Sequence, residues 1–157
     1  GYLQSAQTAW PSGFSHPAFI DNHDMNRFFF SAEENLEALK AALSLLYLLP
    51  QAPVIYYGTE IGLSQRASIH AKGSSGFDEA RMQMDWENPA HPEIGKHLRK
   101  LGDFRLQNPW LIDANWQVLE ISKDGNQAKM SVSDGAHRLV LKIETKEKPS
   151  LSFSPES

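Results

Sequence analysis

Two short apolar segments, each ending in a polar cluster, constrain the fold of this 157-residue chain more than any other feature. The first, residues 18–20, runs directly into two carboxylates, an amide and an imidazole at residues 21–24. The second, residues 53–57, shows no polar alternation, which is typical of a strand covered on both faces. A strand, a helix and a second strand, with polar groups at both carboxyl ends, predict a βαβ unit with a functional site at that edge of the sheet.

Two stretches have the pattern of amphipathic helices. Ser31 followed by Glu34 has the form of a capping box, and leucines recur at helical spacing after it. These signals predict a helix over residues 32–49, ended by the proline that follows. A second helix is predicted to begin at Pro92 and to end near Asn108. The residues between the second apolar segment and this helix lack sustained periodicity, so a long loop is predicted there.

The pattern changes after residue 112. Short runs with partial alternation are separated by Asp-Gly turns at residues 124–126 and 134–135, which are strong hairpin signals. They predict a small antiparallel sheet. The predicted strands cover residues 116–122, 127–132, 137–143 and 151–153.

The two polar-ended segments together resemble a known family. Residues 19–27, with Phe19 and the pair His23-Asp24, are similar to the fourth signature region of the α-amylase family, glycoside hydrolase family 13, at the end of barrel strand seven. Residues 53–62 are similar to the motif of that family's strand eight. The resemblance implies an α/β fold: the C-terminal portion of a (β/α)8 TIM barrel over residues 1–111, followed by a small antiparallel, sandwich-type β-sheet domain over residues 112–157.

The resemblance also implies roles for the His-Asp pair. Retaining glycoside hydrolysis needs a carboxylate nucleophile and a carboxylic acid about 5 Å apart. In the resembled family these groups come from strands four and five, which none of the motifs found here represents. By resemblance, Asp24 is the transition-state stabiliser that binds ring hydroxyls, and His23 binds the same sugar. We therefore expect the chain to be inactive alone and to need the rest of the barrel from a parent chain.

Four further residues are candidates for substrate binding, each with a structural alternative. Asn22 shapes the turn through an Asx bond or contacts substrate. Arg27 orders Asp24 or the neighbouring loop through a bidentate pair, or it is an ordinary surface arginine. Glu60 holds a loop or hydrogen-bonds a sugar. Trp86 stacks on a sugar face or packs within its loop. It belongs to residues 81–86, which resemble a string found after strand eight in many family members, although the expected proline is replaced.

The function implied by the resemblance is that of a glycoside hydrolase or transglycosylase acting on α-glucosidic bonds, with an α-glucan or maltooligosaccharide as substrate. The alternative is a non-catalytic amylase-like binding protein, against which the retained His-Asp pair argues. A carbohydrate-binding module over residues 116–153 is a third hypothesis, but that stretch has no evident aromatic platform. A metal phosphohydrolase would need further ligands at helical spacing, and the histidines are scattered.

Composition excludes several partners and cofactors. A net charge of −4 gives no basic footprint for nucleic acid or for an anionic membrane surface. The absence of cysteine rules out a disulfide framework and a cysteine-based zinc site. No stretch reaches membrane-spanning length. No metal site or cofactor is predicted. Calcium in the resembled family is held by a domain inserted earlier in the barrel, so it is an expectation for the parent enzyme alone. The sequence leaves localisation open.

Overall fold

The computed structural model describes residues 16–155. Its α-helices are α1 (Phe28–Ser31), α2 (Leu36–Leu48) and α3 (Pro92–Gln107), with short 3-10 helices at Thr59–Ile61, Gly76–Arg81 and Pro109–Asp113. Its strands are β1 (Asn115–Ile121), β2 (Gln127–Ser133), β3 (Arg138–Glu144) and β4 (Ser150–Pro155). The predicted domain limits at residues 1 and 157 lie outside the described residues.

The two predicted barrel strands meet in a parallel bridge between Ala18 and Pro53. Ala18 N–H donates to the Ala52 carbonyl at 2.9 Å, and Val54 N–H donates to the Ala18 carbonyl at 2.8 Å. The parallel direction agrees with a βαβ unit, since α2 lies between the two segments in the chain. The expectation that residues 53–57 are covered on both faces is wrong for this chain. Val54 is 46% exposed and Tyr57 is 39% exposed.

Helix α2 begins at Leu36 and not at residue 32, because Asn35 supplies the cap. Its Oδ1 accepts from Glu37 N–H at 3.0 Å and from Ala38 N–H at 3.1 Å. These are backbone donors that a helix N-terminus leaves unpaired. The predicted capping box is wrong: Ser31 ends α1, and Glu34 has a left-handed φ of 56°. The predicted start of the second long helix at Pro92 is confirmed.

Helices α2 and α3 pack on each other and on α1. A leucine moved fully out of water contributes about 2 kcal/mol before entropy is counted, so the buried set at this junction is a substantial source of stability. The buried members of this first core are Phe29, Leu39, Leu43, Ile94 and Leu101.

The four strands form one antiparallel sheet in chain order, as predicted. The β1–β2 and β2–β3 turns each have a glycine in the left-handed region, φ +72° at Gly125 and φ +96° at Gly135. Asp124 stabilises the first turn, where its Oδ1 accepts from Ser122 Oγ at 2.6 Å and from Asn126 N–H at 3.2 Å. The pairing of β2 with β1 and with β3 is therefore supported locally by turn chemistry.

A second core joins the sheet to the helices. It places Leu48, at the end of α2, and Leu111 against the inner face of the strands. The division of the chain at residue 112 stays a prediction, because this core contains side chains from both sides of it. The buried members are Leu48, Leu111, Ala114, Trp116, Met130, Val132, Leu139 and Leu141.

Arg105 of α3 closes the end of α2. Its Nη1 donates to the carbonyls of Tyr47 at 2.8 Å and Leu49 at 2.6 Å. Its Nη2 donates to the carbonyls of Pro50 at 2.8 Å and Gln51 at 3.1 Å. The last carbonyls of a helix lack partners within the helix and carry partial negative charge, so a cation satisfies both requirements. One side chain thus fixes the exit from α2 towards the second apolar segment.

Replacing Arg105 with Met should lower the free energy of unfolding by about 3 kcal/mol, since charge-assisted bonds are worth about 1.5–3 kcal/mol each and are not additive. Chemical denaturation of the chain measures this loss. The matched control is Arg99→Met on the same helix, where Arg99 is exposed. That control should stay within about 0.5 kcal/mol of the wild type. Equal losses in the two variants would contradict the capping role of Arg105.

His97 lies at the contact between α2 and α3. Its Nε2 is 2.9 Å from Ser44 Oγ and 3.2 Å from the Lys40 carbonyl oxygen. Burial lowers the pKa of His97, and the positive charges of Lys40 and Lys100 act in the same direction. The Lys40 carbonyl and the Glu37 carboxylate oppose this shift without reversing it. The helix contact therefore favours the neutral imidazole.

We expect protonation of His97 to weaken the fold. An unfolded histidine titrates near pH 6.5, above the folded pKa, so the stabilisation is complete above that pH and is lost as the pH falls through the folded pKa. Denaturation at about pH 7.5 and about pH 5.5 should show a larger loss for the wild type than for His97→Gln. His70→Gln, at an exposed position, should lose as much as the wild type. Equal losses in all three chains would exclude His97 as the group responsible.

Candidate active site

The loop after the first apolar segment begins at a buried carboxylate, Asp21. Its Oδ2 accepts from Phe28 N–H at 3.0 Å, which pairs one of the unpaired backbone donors at the start of α1. Both carboxylate oxygens also accept from Thr59 Oγ1, at 3.0 Å and 3.2 Å. Asp21 therefore closes the loop onto α1 and ties it to the carboxyl end of the second segment.

The end of the same loop, at residues 26–27, is held by a buried amide, Gln65. Its Oε1 accepts from Arg27 N–H at 2.6 Å, and its Nε2 donates to Asn26 Oδ1 at 2.8 Å and to the Ala67 carbonyl at 2.7 Å. Asn26 Oδ1 also accepts from Ile69 N–H at 2.9 Å. Because their hydrogen-bonding groups are satisfied in this way, the side chains of Gln65 and Asn26 are held in one geometry.

Between these two anchors the loop presents His23 and Asp24 to solvent, with side chains 58% and 60% exposed. His23 Nε2 lies 3.1 Å from Asp24 Oδ2. Asp24 Oδ1 lies 3.3 Å from Arg81 Nη2, an ion pair with a residue far along the chain. Asn22 makes the Asx bond, because its Oδ1 accepts from Asp24 N–H at 2.8 Å. The backbone of Asp24 is thereby fixed while its carboxylate stays accessible.

Arg27 is fully buried, so its interpretation as a surface arginine is wrong. It does not pair with Asp24. Its Nη1 donates to the Tyr57 carbonyl at 2.9 Å, and the guanidinium faces the rings of Tyr56 and Tyr57 at 4.7 Å and 5.0 Å. Gly58, with φ +87°, also suits this position, since a Cβ there would lie 2.7 Å from Leu63 Cδ2 and 3.3 Å from Arg27 Nη1. The buried guanidinium thus holds the end of the second segment, and a sugar contact by Arg27 stays a prediction.

Glu60 and Trp86 are not brought to the His-Asp pair by any contact among the described residues. Glu60 lies in the 3-10 helix Thr59–Ile61, and its buried Oε2 has no hydrogen-bond partner there. Trp86 is 80% exposed, so the alternative in which it packs within its loop is wrong. Sugar contacts by these two residues stay predictions.

The long loop before α3 is ordered by polar contacts and contains the 3-10 helix Gly76–Arg81. Tyr57 Oη donates to the Met82 carbonyl at 3.0 Å. The buried Glu79 carboxylate lies 3.4 Å from Arg66 Nε and accepts from Ser75 N–H at 3.4 Å. Burial alone would raise the pKa of Glu79, but Ser75 N–H and the Arg66 charge outweigh it and hold that pKa below its usual value. These contacts bring Arg81 to Asp24.

Sequence patterns did not identify the residues that position the site. Asp21 and Thr59 are 38 positions apart, and so are Arg27 and Gln65. Neither pair has a local signature. Arg81 does have a sequence signature, because residues 81–86 resemble the string that follows strand eight in the family. Nothing in that string indicates a contact with Asp24.

Within residues 16–155, no group of three or more His, Cys, Asp or Glu side chains is arranged to hold a metal ion. No helix in that part of the chain is long and apolar enough to cross a membrane.

The parallel bridge between two segments that both end in polar residues is the arrangement of a βα unit of a TIM barrel. The sequence profile of the family described as "Alpha amylase, catalytic domain" matches residues 1–112. The chain belongs to that family.

Curated relatives and solved structures agree. The chain is 35% identical over 107 residues to a maltogenic alpha-amylase of Bacillus acidopullulyticus, covering 65% of this chain and 16% of that protein. It is 29% identical over 99 residues to alpha-amylase 2 of Dictyoglomus thermophilum, covering 62% and 17%. The alpha-amylase of Geobacillus thermoleovorans complexed with acarbose superposes with a TM-score of 0.71 at 26% identity, over 90% of this chain and 30% of that one. The chain thus spans a small part of these relatives' length.

Fold similarity extends to the β-sheet end of the chain. A cyclic alpha-maltosyl-(1→6)-maltose hydrolase from Arthrobacter globiformis superposes on 99% of this chain and 39% of its own, with a TM-score of 0.75 at 17% identity. At that identity the likeness concerns the fold alone.

Replacing Asp21 with Ala should destabilise the chain by about 3 kcal/mol, because it leaves Phe28 N–H and Thr59 Oγ1 without their acceptor in a buried setting. Thermal or chemical denaturation measures the loss. Asp78→Ala is the matched control, since Asp78 is an exposed acid on the loop before α3. It should change stability by less than about 0.5 kcal/mol. A tolerated Asp21→Ala substitution would show that the buried carboxylate is not an anchor.

Proposed function

We propose that this chain supplies a transition-state-stabilising His23–Asp24 pair to an α-amylase-family enzyme that acts on α-glucosidic bonds by a retaining mechanism. The observation that carries the proposal is the pair itself. An accessible carboxylate lies 3.1 Å from an imidazole, on a loop anchored at both ends by buried polar side chains.

The chemistry of the step explains why a carboxylate belongs at this position. As the glycosidic bond breaks, the sugar ring flattens towards an oxocarbenium-like state, and hydrogen bonds to its hydroxyls strengthen by several kcal/mol. Asp24 accepts from ring hydroxyls in this scheme. His23 donates a hydrogen bond to the same sugar. It lies beside the Asp24 carboxylate, whose negative charge opposes the positive charge that develops on the sugar ring. Because the loop is anchored at both ends and the Asp24 backbone is held by Asn22 before substrate arrives, little reorganisation is required at the moment of reaction.

The nucleophile and the general acid are proposed to come from parts of the enzyme beyond these residues. The chain alone is therefore proposed to be inactive. The proposed substrate is an α-glucan or maltooligosaccharide. Support comes from the names of similar proteins, which include a maltogenic alpha-amylase and a 4-alpha-glucanotransferase of Thermotoga neapolitana. Those names describe hydrolysis and transfer, and both remain within the proposal.

Asp24→Asn tests the proposal in the full-length polypeptide that contains this sequence. A loss of about 4 kcal/mol of transition-state stabilisation corresponds to about a thousandfold fall in kcat on maltooligosaccharides. The exposed Asp78→Asn is the matched control and should retain the wild-type rate. Circular dichroism and the unfolding midpoint establish that each variant is folded.

An unchanged kcat in folded Asp24→Asn would refute the assignment of Asp24. A wild-type polypeptide that binds maltooligosaccharide but never cleaves or transfers it would instead favour the non-catalytic binding protein.

A further inference from the structure

Gln65 lies outside both segments that resemble the family motifs, yet it is the residue most closely tied to the end of the His23–Asp24 loop. Its side chain is buried and uses its acceptor and both amide hydrogens, on Arg27 N–H, Asn26 Oδ1 and the Ala67 carbonyl. A buried amide with three partners within 2.8 Å has no other comparable arrangement available to it.

Asn26 extends this contact into the following loop. Its Oδ1 accepts from Ile69 N–H at 2.9 Å as well as from Gln65, and its Nδ2 donates to Ser68 Oγ at 3.2 Å. Two amide side chains therefore join residues 26–27 to residues 65–69. We call these two residues, Asn26 and Gln65, the amide clamp.

The loop needs such a clamp because strand pairing does not reach it. Among the described residues, the parallel bridge ends at Ala18 and Pro53, short of the His-Asp pair. The start of the loop is fixed by Asp21. Its other end is fixed by the amide clamp at residues 26–27, two to three residues beyond Asp24 in the chain.

We propose that Gln65 is a positioning residue for the reaction, acting through Asn26 and Arg27 to set where the Asp24 carboxylate meets the sugar. The inference rests on the proposed function. It assigns to the segment after strand eight a role in the geometry of a pair that belongs to strand seven. A displacement of about 1 Å at a reacting centre costs about a hundredfold in rate, so loosening this end of the loop should slow the chemical step.

The first test is Gln65→Met in the full-length polypeptide, which keeps the side-chain length and removes all three hydrogen bonds. We expect kcat to fall by about a hundredfold while KM changes by less than about threefold, because the clamp positions Asp24 and does not itself contact the sugar. Gln83→Met is the matched control, an exposed glutamine on the same long loop that should keep wild-type kcat and KM. If Gln65→Met does not fold, Gln65→Glu replaces it, since it keeps the volume and the acceptor for Arg27 N–H but removes both donated bonds.

A double-mutant cycle separates positioning from a general loss of packing. Asn26→Ala and Gln65→Met break the same clamp, so the double variant should lose little more kcat than either single variant. Additive losses would mean that the two residues act independently, which overturns the clamp. A folded Gln65 variant with wild-type kcat, or one whose KM alone rises, overturns it as well.

Hydrogen exchange gives a result that does not depend on activity. Gln65→Met should accelerate exchange at the Asp24 amide by about tenfold or more, although that amide bonds to Asn22 and not to Gln65. An Asp24 amide with wild-type exchange in the variant overturns the positioning role. Faster exchange in a protein whose Asp24→Asn variant keeps its rate would retain the clamp and reject the proposed function.

Discussion

The buried carboxylate of Asp21 is the interaction on which the arrangement of the site depends. A carboxylate out of water is costly unless donors surround it, and here Phe28 N–H and Thr59 Oγ1 provide them. Those donors come from the start of α1 and from the end of the second apolar segment. One side chain therefore brings together the first apolar segment, α1 and the second apolar segment. Among the described residues, strand pairing joins the two segments at Ala18 and Pro53 alone and does not include α1. The His23–Asp24 pair is displayed by the loop that Asp21 begins.

Two arginines hold the second segment at its ends, and both use backbone carbonyls as partners. Arg105 binds the carbonyls of residues 47, 49, 50 and 51 just before the segment begins. Arg27 binds the Tyr57 carbonyl where the segment ends, and its guanidinium faces the rings of Tyr56 and Tyr57. A carbonyl is a weaker partner than a carboxylate, but it belongs to the backbone, so each arginine fixes the path of the chain directly. The segment stays aligned with Ala18 although few strand bonds support it.

Periodicity and turn chemistry predicted the elements whose stability is local. Pro92 and the amphipathic pattern after it predicted α3, and the Asp-Gly turns predicted the hairpins of the sheet. The start of α2 was predicted too early, because Asn35 competes with Ser31 as a cap and no sequence rule ranks the two. The residues of the site divide in the same way, into those that a local sequence pattern predicts and those that it does not. His23 and Asp24 are recognisable from a contiguous motif, whereas Asp21–Thr59 and Arg27–Gln65 are contacts across 38 residues that only the folded chain creates.

The proposed role of Asp24 is to hydrogen-bond the sugar 2-hydroxyl most strongly in the transition state. The most direct measurement compares wild type and Asp24→Asn in the full-length polypeptide on an α-glucoside and on its 2-deoxy analogue. If the bond to that hydroxyl exists, the substitution should reduce kcat/KM by about a thousandfold on the intact sugar and by less than about tenfold on the analogue, which lacks the bond already. The same penalty on both substrates would contradict the claim, because the carboxylate would then act without contacting that hydroxyl.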